Sequence, residues 1–192
     1  VRLPHCYMPT DDMREIAPEV SRSKLKLPED AFVFCCFNNS YKISPQEFNI
    51  WMNVLASVPH SILWLRSDNA ITQANILAVA KSQGINRERI IFANRIPMRE
   101  RLARYKFVDL VLDTFAFNGH TTTCDALWAG APVLTITGNS FASRVASSLL
   151  SNIGANELIC KTPLEYQEKA ILCATNKQTL LDIKNQILNG KS

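Results

Sequence analysis

The chain has 192 residues, 47% hydrophobic and 20% charged, with a net charge of +4, 6 glycines and 9 prolines. That balance excludes a disordered, collagen-like or disulfide-scaffold protein, and a chain of this size buries roughly 70% of its unfolded surface, enough for one core. No apolar run approaches the ~20 residues of a membrane span, and VRLPHCYMPTDD at the start lacks a signal-peptide profile, so a cytoplasmic protein without membrane partners is expected.

Residues 1–30 carry Pro4, Pro9, Pro18 and Pro28 with TDD at 10–12, and read as an extended connector from a lobe outside the chain. The missing initiator Met fits an excised piece of a longer protein. Residues 31–192 read as one α/β domain. AFVFCCF (31–37), SILWLR (61–66), RIIFA (89–93), VDLVLD (108–113) and PVLTI (132–136) are nearly continuous apolar runs, as strands covered on both faces require; ELIC (157–160) is a short sixth candidate.

Helical patterns separate them. Ser44-Pro45-Gln46-Glu47 is a capping box with Pro at the first helical position, and Phe48, Trp51, Met52 and Leu55 form the stripe to be buried. Residues 70–83 place Ile71, Ala74, Ile76, Leu77 and Ala80 on a second stripe, ending at Gly84. Further helices are expected over 97–106, 121–129 and 141–152, and one or two over 163–189. Strand–helix alternation at this spacing predicts a doubly wound, mostly parallel, Rossmann-like sheet.

The cysteines (6, 35, 36, 124, 160, 173) include no CxxC, and neighbouring Cys35 and Cys36 point to opposite faces of a strand. Free buried thiols in a reducing compartment are expected. His5, His60 and His120 lack zinc-ligand spacing, so no metal cofactor is expected. Basic residues are densest over 95–106 but alternate with apolar ones and form no stripe interleaved with aromatics, so nucleic acid is not an expected partner. A phosphorylated small molecule suits the modest positive charge.

Ligands of an open α/β sheet bind beyond the carboxyl ends of its strands. Three polar loops leave strands there: FNNSYKIS (37–44), FNGHTTTCD (117–125) and TGNSFASR (137–144). In the second, Gly119 permits close backbone approach, and His120, Thr121 and Thr122 would offer N–H groups and hydroxyls to an anion at a helix start. An equally direct reading is that Thr122 and Asp125 form a capping pair. Lys42 is an ordinary solvated loop charge on one reading; on the other, it faces the second loop and holds a diphosphate with it.

The pairing of YK, NGHTT, DALWAG and FASRVA, in order and at consistent distances, closely resembles the C-terminal catalytic lobe of the O-linked N-acetylglucosamine transferase / SPINDLY family, from LPHCY at 3–7 to about residue 189. The resemblance implies a bacterial homologue and the donor-binding lobe of a GT-B glycosyltransferase. Lys42 would contact the donor diphosphate and stabilise the departing nucleotide. His120, Thr121 and Thr122 would sit at the phosphates, and Asp125 at the ribose. Asn39 stands where the family has a glutamine. Met98 and Arg101 stand where a lysine and a histidine approach the nucleotide, and Ile96 where backbone groups read the base.

By the same resemblance, the donor is a nucleotide-sugar used without a metal: UDP-N-acetylglucosamine, with GDP-fucose as the alternative. Acceptor proteins would be engaged through an N-terminal lobe and tetratricopeptide repeats not represented in the sequence, so the fragment alone should bind without turning over. A nucleotide-sugar epimerase or hydrolase, and a non-catalytic nucleotide-binding module, are the rival readings.

Overall fold

The computed structural model describes residues 6–8, 13–18 and 21–190, so Pro4, His5, Pro9 and the TDD stretch lie outside the described residues. The elements are β1 (Phe32–Cys36), α1 (Pro45–Ser57), β2 (Ser61–Arg66), α2 (Ala70–Ser82), β3 (Ile90–Ala93), α3 (Met98–Arg104), β4 (Leu110–Leu112), α4 (Thr121–Trp128), β5 (Val133–Ile136), α5 (Val145–Asn152), β6 (Ile159–Cys160), α6 (Pro163–Thr175) and α7 (Lys177–Asn189). The strands lie in the order β3-β2-β1-β4-β5-β6, and every pairing is parallel. This is a Rossmann-type sheet whose order reverses between β1 and β4, where ligand crevices form.

Burial explains why the apolar runs are unbroken. Val33 through Cys36 and Ile62 through Leu65 are all buried, because helices cover both faces of the sheet. Cys35 and Cys36 lie in adjacent positions on β1 and are both buried free thiols, and burial raises both pKa values. Cys160 is pushed up to about 12 by the same cause.

The capping box at Ser44 forms: its side chain accepts from the Glu47 N–H while the Glu47 carboxylate accepts from the Ser44 N–H. Phe48, Trp51, Met52 and Leu55 turn inward as expected. The stretch over 163–189 divides into two helices at Asn176, whose side chain caps α7 by accepting from the Thr179 N–H.

Two expectations are corrected. The apolar stripe on α2 enters the core only in part. Ala80 is buried and Ile76 and Leu77 pack half-buried against the core, while Ile71 is 75% exposed, because periodicity marks an apolar face without stating how much of it a neighbour covers. The capping pair at Thr122 and Asp125 is also not used. α4 starts two residues earlier than such a cap requires, with His120 as N-cap and no side-chain cap bond.

Among the described residues before β1 there is no helix or strand, yet this segment is held to the domain. Arg22 donates to the carbonyls of Pro28 and Ala31, the Ala17 N–H to Arg99 O, and Trp128 Nε1 to Arg14 O at 3.2 Å. It therefore runs past α3 and α4, beside the carboxyl ends of the central strands.

Candidate functional site

The loops after β1, β4 and β5 meet at those carboxyl ends through a buried polar network. Asn38 Nδ2 donates to Asp113 Oδ1 at 3.1 Å and to Thr114 Oγ1 at 2.8 Å, while its Oδ1 accepts from the Thr122 hydroxyl. Asp113 Oδ1 also accepts from the Gly119 N–H at 2.6 Å, and its Oδ2 accepts from Thr135 Oγ1 at 2.8 Å. Asn118 joins the third loop, its N–H donating to Ala142 O at 2.8 Å and its Nδ2 to Thr114 O at 2.7 Å. Glu47 reaches from its capping box to accept from the Phe115 N–H.

Gly119 is required by this closeness. A Cβ there would lie 2.5 Å from Thr122 Oγ1, 2.6 Å from Thr123 Oγ1 and 2.9 Å from Asn38 Oδ1. Burial pushes the Asp113 carboxyl up to about 6, against the opposing pull of the bonds from Gly119, Thr135, Thr114 and Asn38.

On this network rests a cavity of about 230 Å³ lined by Asn38, Asn39, Lys42, Arg66 and Phe117 with the first residues of α4 and its cap, Thr121, Thr122 and His120; Phe37 closes it from β1. Lys42 Nζ donates to Asn118 O at 3.0 Å and stands 3.9 Å from the centre of the Phe117 ring. Burial lowers its pKa, and the charge of Asp113 opposes that fall. His120 stacks on Phe117 with centroids 5.0 Å apart, and burial followed by the Lys42 charge lowers its pKa below the ordinary histidine value. Two cations, a helix N-terminus and hydroxyls thus converge on one cavity, an arrangement suited to a phosphorylated ligand.

The expected site residues separate into two groups. Asn39, Lys42, His120, Thr121 and Thr122 line the cavity. Arg101 and Asp125 lie to one side as partners: Arg101 Nη2 is 2.9 Å from Asp125 Oδ2, and Arg14 Nη1 is 2.7 Å from Oδ1. Asp125 is buried, which raises its pKa against the pull of both arginines. Ile96 is half-buried in the loop between β3 and α3, outside the lining.

Sequence reasoning missed Asn38, Arg66, Asp113 and Arg14. Arg66, whose Nη1 donates to Asn39 Oδ1, was marked only by being the charged end of an apolar strand. Asp113 likewise ends the run over 108–113. No local signal distinguishes Asn38 or Arg14. A larger groove of about 350 Å³ between α1 and α2 has mainly apolar walls from Ile43, Pro45, Phe48, Ile76 and Val79 and no charged side chain; the polar cavity is the better candidate for chemistry.

A six-stranded parallel sheet carrying this cavity at its switch point defines a Rossmann-like lobe of the GT-B kind. The sequence profile of glycosyl transferase family 41 matches residues 9–192. The chain is 38% identical over 194 aligned positions, 97% of its length, to a protein of Arabidopsis thaliana named "Probable UDP-N-acetylglucosamine--peptide N-acetylglucosaminyltransferase SEC". It is 39% identical over 167 positions, 87% of its length, to the UDP-N-acetylglucosamine--peptide N-acetylglucosaminyltransferase of Caenorhabditis elegans. Among solved structures, a mutant of the Thermobaculum terrenum O-GlcNAc transferase superposes with a TM-score of 0.86 at 30% identity, covering 99% of this chain and 36% of that one. The chain belongs to glycosyl transferase family 41. It spans 20% and 14% of the lengths of the two curated relatives.

Proposed function

We propose that this chain is the donor-binding lobe of a protein O-glycosyltransferase that moves N-acetylglucosamine from UDP onto Ser or Thr hydroxyls. The observation that carries the reading is the convergence of Lys42, Arg66 and the start of α4 on one polar cavity. The names of the relatives from Arabidopsis and Caenorhabditis supply the donor sugar and the peptide acceptor.

In this reading the diphosphate lies between Lys42 and the N–H groups of Thr121 and Thr122. Glycosyl transfer breaks the bond from the sugar carbon to the diphosphate, and negative charge grows on the departing oxygen. A cation and a helix N-terminus held in place beforehand stabilise that charge without reorganising. Asn39 reaches the phosphates from the opposite loop, Asp125 accepts from the ribose, and Arg101 with the backbone at Ile96 meets the base. The transfer is read as metal-independent, with the lysine and the helix start supplying the positive charge. Acceptor proteins are engaged by parts of the enzyme beyond this lobe, so the lobe binds donor without turning it over.

Calorimetric titration with UDP, GDP and ADP tests the proposal. UDP is expected to bind at tens of micromolar or weaker, on the order of −6 kcal/mol, because one lobe supplies one wall of the cleft. Tighter GDP binding would reassign the donor to GDP-fucose, and no response to any diphosphate at millimolar concentration would overturn the reading.

A further inference from the structure

The ring of His120 is held from a direction the donor loops do not explain. Tyr7, in the segment ahead of the sheet, places its hydroxyl 2.7 Å from His120 Nδ1. The Tyr7 ring packs edge-on against His120 at 5.9 Å and against Phe141 at 4.8 Å, while the imidazole also stacks on Phe117 and meets Phe141 edge-on at 6.3 Å. The remaining ring nitrogen, Nε2, is buried and makes no well-formed hydrogen bond among the described residues, although the Ala142 carbonyl lies close enough to the ring to favour its charged form. The imidazole is thus fixed by three aromatic neighbours and one hydrogen bond, with one polar atom unsatisfied on a residue that lines the cavity.

The direction of the Tyr7 bond follows from acidity. A phenol, with an ordinary pKa near 10, donates far more readily than a neutral imidazole N–H, and an imidazole nitrogen accepts far better than a phenol oxygen. Burial raises the Tyr7 pKa further, so its proton stays. Burial and the nearby Lys42 disfavour a charged ring, against the weaker influence of the Ala142 carbonyl. A neutral ring that accepts at Nδ1 carries its hydrogen at Nε2, and a buried N–H that makes no well-formed hydrogen bond is a costly group, for which a ligand oxygen competes with the Ala142 carbonyl.

We infer that Tyr7 is a positioning residue of the donor site, setting the tautomer of His120 so that Nε2–H is the hydrogen the ring offers to an anionic oxygen. The inference rests on the donor-site reading above and adds to it a residue from the segment ahead of the sheet.

The experiment combines ¹⁵N–¹H correlation of the His120 ring with UDP titration, for the wild type, Tyr7→Phe, His120→Ala and the double variant. The wild-type ring is expected to show hydrogen on Nε2 and a bare Nδ1. Tyr7→Phe should convert it to a mixture of tautomers and weaken UDP about three- to tenfold, the loss of one neutral hydrogen bond. In the His120→Ala background the same change should add nothing. Hydrogen on Nδ1 in the wild type, an unchanged ring in Tyr7→Phe, or an equal UDP loss without His120 each overturns the inference. A tautomer change with unaltered UDP affinity also overturns it, because Tyr7 would then orient the ring without serving the ligand. If the wild type binds no diphosphate, the donor-site reading fails and takes the ligand role of Tyr7 with it, while the ring spectrum still reports whether Tyr7 governs the tautomer.

Discussion

The two turns of α4 treat charge in opposite ways. Its first turn, with His120 before it, presents Thr121 and Thr122 to a cavity where the Lys42 ammonium bonds a neutral carbonyl and lies on an aromatic ring. One turn further, Asp125 is held by Arg14 on one oxygen and Arg101 on the other. The first turn, on the proposed reading, is an electropositive surface that receives an anion. The second is a carboxylate already satisfied by two guanidiniums, although its oxygens retain acceptor sites for a hydroxyl. A diphosphate would therefore enter without rearrangement, whereas a ribose must share Asp125 with the arginines.

Removing the shared carboxylate strikes the satisfied half hardest. Asp125→Asn should cost about 2–4 kcal/mol of stability, below the full cost of breaking a wholly buried pair because the Arg101 side chain is 33% exposed. If Asp125 also holds the ribose, the variant should weaken UDP and uridine alike by ~1–3 kcal/mol while sparing inorganic pyrophosphate. Thermal denaturation with and without each ligand reads both. Unchanged uridine affinity would confine Asp125 to a structural role.

The electropositive half is tested by Lys42→Ala. UDP and pyrophosphate should weaken by ~1.5–3 kcal/mol in calorimetric titration and uridine should not, since the partner of the ammonium is the diphosphate. Equal losses for nucleotide and nucleoside would erase the contrast between the two turns. Chelation with EDTA should leave UDP binding unchanged, and a strong loss would bring a metal into the site.

Asp113 supports the first turn from behind, and its titration gives a signature of its own. Its pKa is raised from 3.8 to about 6, so the native state binds the extra proton. The stability that proton contributes is fully present below the unfolded value and is lost as pH rises through about 6. Asp125 is raised in the same direction, so the measurement is a difference. Between 3.8 and about 6, the unfolded and folded values for Asp113, the wild type should lose up to about 1.4 kcal/mol per pH unit more than Asp113→Asn in urea titrations. Parallel slopes would show that Asp113 does not titrate in this window.

The smallest effect expected lies away from both turns. Ile71→Gln on the outward face of α2 should change stability by about 0.5 kcal/mol or less and leave UDP affinity alone, and a large melting shift would mean that this face is covered.

Much of this architecture was legible in the order of residues. Val33 to Cys36 and Ile62 to Leu65 read as strands covered on both faces because a central parallel strand has no solvent side to encode. Ser44 and Glu47 read as a helix start because both halves of the bond lie within four residues. The cavity residues Lys42, His120, Thr121 and Thr122 were legible as polar groups following apolar strands, and as the motifs of a family.

Whatever depends on neighbours along the chain could therefore be read locally: the strands, most helices, the free thiols and the polar loops at the strand ends. Tertiary structure decided the rest, because a side chain takes the best partner in space rather than the nearest in sequence. Thr122, which locally suits a capping pair with Asp125, instead donates to Asn38, 84 positions away. Asp125 answers Arg14 across 111 positions, and Asp113 receives Asn38 across 75. The Ile71 end of the apolar stripe on α2 stayed uncovered for the same reason. Periodicity ranks the faces of a helix, and only the arrangement of the other elements determines whether anything lies against them.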